Sequence, residues 1–227
     1  VRGGVGPGAR RVANPPPIFV GRDAEIAALA ASIKRGPASL VWGLEGLGKS
    51  ALVSKTLFLR FSEMISRTVW IPFTSLPKGC NSIAEVSQIL FEAVRPHAKP
   101  DPGASPDDPL GAAIDLADRH DIWIVLEDLH LADRDSAREL MSAVARASRT
   151  ARWIATADRD DFGLHQLPEQ VLHLGRLSET EMSDLARLAL RANADESVAR
   201  IVAMAAGSPW RLRSFPTTDA DALAHVP

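Results

Sequence analysis

With 227 residues, 46% hydrophobic and 24% charged, the chain has the make-up of an ordinary globular protein, long enough for one large α/β domain with a small appendage. A net charge of −2 argues against a surface dedicated to nucleic acid, and no apolar run of about 18 residues is present to span a membrane. Cys80 is the only cysteine, which excludes an intrachain disulfide and a cysteine metal cluster and fits a cytoplasmic location.

Residues 1–17, "VRGGVGPGARRVANPPP", are rich in Gly, Pro and Arg, carry no apolar period and contain no secretory core. They are expected to be a flexible linker, with Arg10 and Arg11 solvated within it. The chain starts at Val1 rather than at a methionine, and it is expected to be a fragment of something longer. From Ile18 the composition turns globular. Strands are expected at Ser39–Trp42, Thr68–Phe73, Ile122–Leu126, Trp153–Thr156 and Val171–Leu174. Helices are expected at Ser50–Phe61, Ile83–Val94, Pro109–Asp118 and Arg134–Ala147, with Arg95–Pro109 a long loop. Strands alternating with helices predict a parallel sheet covered on both faces. At Ser178 the strands stop. Ser178 and Glu181 form a capping box before Met182, Leu185 and Leu188, and a further helix at about Glu196–Ala206 ends at Gly207. The reading is therefore a nucleotide-binding domain over 18–177 and a small helical lid over 178–227.

The stretch "VWGLEGLGKSALV" carries the chemistry. Gly43, Leu44, Glu45, Gly46, Leu47, Gly48, Lys49 and Ser50 match the P-loop pattern G-x-x-x-x-G-K-[ST] in full, and Ala51 follows in the helix. Glycines let the backbone turn its N–H groups onto a phosphate. Lys49 offers a compact charge for the β- and γ-phosphates, and Ser50 a hydroxyl for Mg²⁺. The helix that starts there favours an anion at its N-terminus. A metal-dependent phosphate site needs an acid, and the apolar run Ile122–Leu126 ends in Glu127 and Asp128. A carboxylate at the C-terminal end of a strand lies where α/β sheets bind ligands. One acid can hold the Mg²⁺ shell, with Glu127 the candidate, and the other can orient or deprotonate water. The usual order is Asp then Glu. Here it is reversed, which puts the shorter carboxylate of Asp128 on the water side and predicts slow hydrolysis.

With these motifs in view, the chain resembles the STAND class of signalling P-loop ATPases, near the AAA+, NB-ARC, NACHT and MalT-like groups. Five segments over roughly residues 18–215 carry the resemblance: "IFVGRDAEIAAL", "GLEGLGKSAL", "IVLEDLHLAD", "WIATADRD" and "AAGSPWRL". The resemblance implies an ASCE/AAA+-like three-layer fold with sheet order 5-1-4-3-2 and a lid closing over the base. It implies that Phe19, Val20, Gly21 and Arg22 pack near the adenine and that Pro209 packs on it from the lid. Arg159, and more weakly Thr156, would sense the γ-phosphate. Leu131 stands where the class usually has tryptophan; His130 reads as structural, and Trp210 as a core residue of the lid. Lys49, Glu127, Asp128 and Arg159 are thus the candidate catalytic set. The implied function is an ATP/ADP switch with slow hydrolysis and self-association in the ATP state, its sensor and effector domains outside this chain. Two alternatives stand beside it: a mechanical AAA+-type ATPase acting on DNA or protein, and a nucleotide-binding scaffold without hydrolysis.

Overall fold

The protein was analysed as a computed structural model that describes residues 10–11, 18–76, 82–98, 107–159, 170–190 and 195–214. Most of the expected linker, Cys80, the centre of the Arg95–Pro109 stretch and the end of the lid lie outside the described residues.

The chain forms one six-stranded sheet. Its strands are β1 (Arg10–Arg11), β2 (Ala38–Trp42), β3 (Thr68–Pro72), β4 (Trp123–Glu127), β5 (Trp153–Ala157) and β6 (Val171–His173). Their order is β1-β3-β4-β5-β2-β6, and all neighbours are parallel except β1 with β3. Counted from the P-loop strand, the five parallel strands read 5-1-4-3-2, as expected. The antiparallel edge was not expected: Arg10 pairs with Trp70 and Arg11 with Val69. The open backbone groups of an edge strand offer such a partner whatever side chains the added segment carries.

The central strands are near-continuous apolar runs because both faces are covered. Side chains alternate between those faces. Val41, Trp70, Trp123, Val125 and Ile154 pack with Ile26, Leu29 and Ile33 of α1 (Asp23–Arg35) and with Leu52, Val53 and Leu57 of α2 (Lys49–Arg60). Leu40, Ile71, Ile124, Leu126 and Ala155 face the other way. They meet α3 (Ile83–Val94), α4 (Pro109–His120) and α5 (Arg134–Ala147) through Val86, Leu90, Ile114, Leu140 and Met141. Each fully buried Leu or Ile in these layers stabilises the fold by about 1.5–3 kcal/mol relative to exposure. Helices α3 and α5 have the expected bounds. Ser82 and Glu85 cap α3 reciprocally, and the Asp133 carboxylate accepts the Ser136 N–H at the start of α5. Helix α1 lies in a segment for which no element was expected, although Ile26, Leu29, Ala30 and Ile33 have helical spacing.

Helices α6 (Glu179–Leu190), α7 (Asp195–Ala205) and α8 (Pro209–Arg213) build a third core from Met182, Leu185, Val198, Ile201 and Leu212, against which Ile18 and Val20 pack. Pro209 opens α8 at a position that needs no N–H, behind Ser208 as its cap. Trp210 is 64% exposed and is not a core residue, in contrast to expectation. Among the described residues no helix is long and apolar enough to cross a membrane.

The turn that delivers β5 into the sheet hangs on one carboxylate. Asp118, at the end of α4, accepts hydrogen bonds from the N–H groups of Arg149, Thr150 and Ala151 at 2.6, 3.2 and 2.9 Å, and from the Ser148 hydroxyl at 2.8 Å. Asp118→Ala leaves these donors without their acceptor. It is expected to lower stability by about 2 kcal/mol, read as a fall in the urea midpoint with an unchanged slope.

Candidate functional site

Strand β2 ends at Trp42, and the chain enters the P-loop before resuming as α2 at Lys49. Gly48 caps that helix with φ 90°, a backbone only glycine takes at no cost. Lys49 is buried, and its Nζ donates to the carbonyls of Gly43 and Leu44 at 2.8 and 3.1 Å. Burial lowers the pKa of this ammonium, opposed by the negative charges of Asp128, Asp158 and Glu45. Leu47 is buried in the core beneath the loop, Leu44 is exposed, and Ser50 is half-buried at the first turn of α2.

The pairing of β2, β5 and β4 brings the acidic end of β4 alongside this loop. Glu127 is the last residue of β4, and its Oε2 accepts the indole N–H of Trp70 from β3 at 2.8 Å. Asp128 follows in the left-handed region with φ 58°, an unfavourable conformation for a residue with a Cβ. The hydroxyl of Thr156, fully buried on β5, accepts the Asp128 N–H at 3.0 Å and holds that turn. Burial pushes the Asp128 carboxyl up, as does the neighbouring Glu127 charge; His130 and Lys49 oppose them. Arg159 donates to the His130 carbonyl at 3.3 Å, so it braces the segment after Asp128. Neither the Trp70–Glu127 bond nor the Thr156–Asp128 bond was anticipated. Two strands far apart in the chain must pair before either exists.

The lid meets the loop directly. The Trp210 N–H and the Ser208 hydroxyl both donate to the Gly46 carbonyl at 3.2 Å. Gly46 has φ 78°, and a Cβ there would lie 2.8 Å from Ser208 Oγ and 3.1 Å from Trp210 Cβ. A second clasp lies at the segment before β2. A Cβ on Gly21 would lie 2.0 Å from Glu181 Oε1, and the Ser178 hydroxyl and N–H hold the Glu181 carboxyl below its usual range. Arg22 is buried, with φ 68°, and donates to Glu25 Oε1 at 2.7 Å and to the Gly175 carbonyl at 2.6 Å. The dipeptide Ser208-Pro209, a cap followed by a helix-opening proline, was the readable signal for α8.

Between loop and lid lies a cleft of about 280 Å³. Of the expected site residues, Phe19, Val20, Arg22, Glu45, Gly46, Leu47, Gly48, Lys49, Ser50, Ala51, Asp128 and Pro209 line it; Gly21, Gly43, Leu44, Glu127 and Arg159 do not. The lining is apolar at the end formed by Ile18, Phe19, Leu177, Leu185 and Pro209, and polar at the P-loop end. Such a cleft can hold a flat apolar ring at one end and a polyphosphate at the other.

No protein-family model and no curated protein matches the chain. Solved structures do. The Walker-type ATPase of Pyrococcus abyssi superposes with a TM-score of 0.63 at 14% identity, over 89% of this chain and 70% of that one. A STAND protein with a tetratricopeptide repeat sensor from Pyrococcus horikoshii gives 0.60 at 18% identity, over 88% of this chain and 30% of that one. The Aeropyrum pernix ORC1 protein, solved in complex with DNA, gives 0.62 at 17% identity, over 92% of this chain and 62% of that one. The chain has the fold of the P-loop ATPases of AAA+ and STAND type. It spans less than two thirds of the length of the last two proteins.

Two predictions follow the geometry. Gly46→Ala adds a Cβ where Ser208 and Trp210 sit, and hydrogen exchange at the Trp210 amide is expected to speed up by about tenfold while the sheet amides keep their protection. Asp128 has a raised pKa in the fold, so its charged form opposes folding. That penalty is full above the raised value and absent below the ordinary carboxylate range of about 4. In metal-free buffer Asp128→Asn is therefore expected to raise the melting temperature at pH 7, with a gain that vanishes towards about pH 3.

Proposed function

We propose that this chain is the nucleotide-binding module of an ATP-dependent switch, part of a larger signalling protein. The observation that carries the reading is the pair of lid hydrogen bonds on the Gly46 carbonyl. A phosphate seated in the loop contacts the same short peptide that holds the lid, so the phosphate state and the lid position are coupled. In this reading the loop N–H groups and Lys49 bind the phosphates, while Phe19, Val20 and Pro209 close on the base. Ser50, which lines the cleft, would hold Mg²⁺ through its hydroxyl, and Glu127, outside the lining, would do so through the oxygen that Trp70 does not engage; the bound ion would neutralise phosphate charge. Hydrolysis is attack of water on the γ-phosphorus with release of ADP. Asp128, in the cleft and with a raised pKa, takes the proton. Its side chain is one methylene shorter than glutamate, which supports slow turnover. Arg159 reports on the γ-phosphate through the His130 segment. Self-association in the ATP state belongs to the same proposal, with sensor and effector parts supplied from outside residues 18–214. A mechanical ATPase acting on DNA is the second reading, favoured by the DNA complex of the similar Aeropyrum pernix protein.

The test is occupancy followed by turnover. The purified chain is acid-precipitated and its released nucleotide identified by chromatography. Near-stoichiometric ADP supports the switch. Absence of nucleotide together with turnover stimulated by DNA supports the second reading. Asp128→Asn is expected to keep ATP binding and to lower turnover about 100-fold, and unchanged turnover removes Asp128 as the base.

A further inference from the structure

The phosphate loop that lines the cleft carries a carboxylate of its own, Glu45. Five charged residues line the cleft: Arg22, Glu45, Lys49, Asp128 and Arg213. Both arginines are engaged by backbone carbonyls, Arg22 at Gly175 and Arg213 at Ile18 (2.6 and 2.7 Å). Beside the loop, the ammonium of Lys49 shares the lining with the carboxylates of Glu45 and Asp128. Lys49 is itself bound to the Leu44 carbonyl, so its charge lies against the peptide that leads into Glu45. The loop position of Glu45 is the unusual one. A phosphate cradle works by presenting N–H groups and a lysine, and Glu45 adds a carboxylate to that same loop. It is exposed, and among the described residues its side chain has no hydrogen bond.

We propose that Glu45 is a specificity residue that sets the preference between di- and triphosphate. Its charge repels a terminal phosphate more than it repels a diphosphate, so the module holds ADP in preference to ATP, and a divalent cation relieves the penalty. The inference rests on the nucleotide reading above and deepens it: the closed, ADP-holding state becomes a property of the loop's own charge rather than of the lid alone. A carboxylate beside a phosphate opposes its binding through the repulsion of like charges, and a tenfold change in affinity corresponds to about 1.4 kcal/mol. A tenfold shift in the ratio of the two dissociation constants is therefore within reach of one carboxylate.

The experiment is calorimetric titration of the nucleotide-stripped chain with ADP and with ATP, each in EDTA and in excess Mg²⁺. The wild-type chain is expected to bind ADP more tightly than ATP in EDTA, with the gap narrowing in Mg²⁺. Glu45→Gln is expected to lower Kd(ATP)/Kd(ADP) in EDTA about tenfold by tightening ATP. Glu45→Asp, which keeps the charge, is expected to retain the wild-type ratio, as is the remote exposed control Glu63→Gln. Circular dichroism and melting curves confirm that the variants are folded. A ratio unchanged in Glu45→Gln overturns the proposal while leaving nucleotide binding intact, as does an equal gain for both nucleotides. Failure of the folded wild-type chain to bind either nucleotide overturns the nucleotide reading, and the Glu45 inference with it.

Discussion

The site depends on the register of three parallel strands. Leu40 and Leu126 both pair with Ala155, so β2 and β4 reach their C-terminal ends at one level with β5 between them. From that alignment the P-loop emerges beside Glu127 and Asp128, and Thr156 on β5 lies within hydrogen-bond distance of the Asp128 N–H. A slip of one residue would turn every side chain to the opposite face. In β4 it would drive Val125 and Glu127 into the layer of α3 to α5, away from Trp70 on β3, and dissolve the bond that orients Glu127. The apolar alternation that builds two cores is thus also the device that aims the carboxylates.

That register is costly to hold at its functional end. Asp128 sits in a left-handed backbone conformation, half-buried next to another carboxylate, and Lys49 is an ammonium taken out of water. Each departs from what a stability-optimised fold would choose. The surrounding structure compensates locally. Thr156 holds the Asp128 turn, Trp70 fixes one Glu127 oxygen, and the loop carbonyls of Gly43 and Leu44 solvate Lys49. Polar groups kept poised at an internal cost are a frequent mark of sites that act on a ligand.

The sheet and the loop were readable because both are local in the chain. A P-loop is eight consecutive residues between a strand and a helix, and buried parallel strands are short apolar runs; their order comes from the family resemblance and not from the runs themselves. What escaped the reading is non-local. The Arg10–Arg11 edge strand has no apolar signature, since an edge pairs through its backbone. Helix α1 was missed even though Ile26, Leu29 and Ile33 have the right spacing, because a left-handed Arg22, rather than a side-chain cap, precedes it. The sequence points to a core Trp210 because an aromatic in a helical segment more often packs inside than contacts a ligand. Its N–H is instead committed to Gly46, which leaves the ring at the rim of the cleft.

The two lid contacts differ in what they can transmit. The Glu181 clasp on the Gly21–Arg22 turn joins the lid to the segment before β2, and it leaves the phosphate loop untouched. The Ser208 and Trp210 bonds end on a peptide of the phosphate loop itself. In the switch proposed above, a ligand that shifts Gly46 would leave the first contact as a hinge while the second breaks or re-forms. In the proposed switch, such a two-point attachment would convert a small displacement of Gly46 into a rotation of α6 to α8, because one point holds and the other moves. The apolar core of α6 to α8 is separate from the sheet's two cores, which fits the proposed switch: a unit rigid within itself would carry such a rotation beyond the cleft.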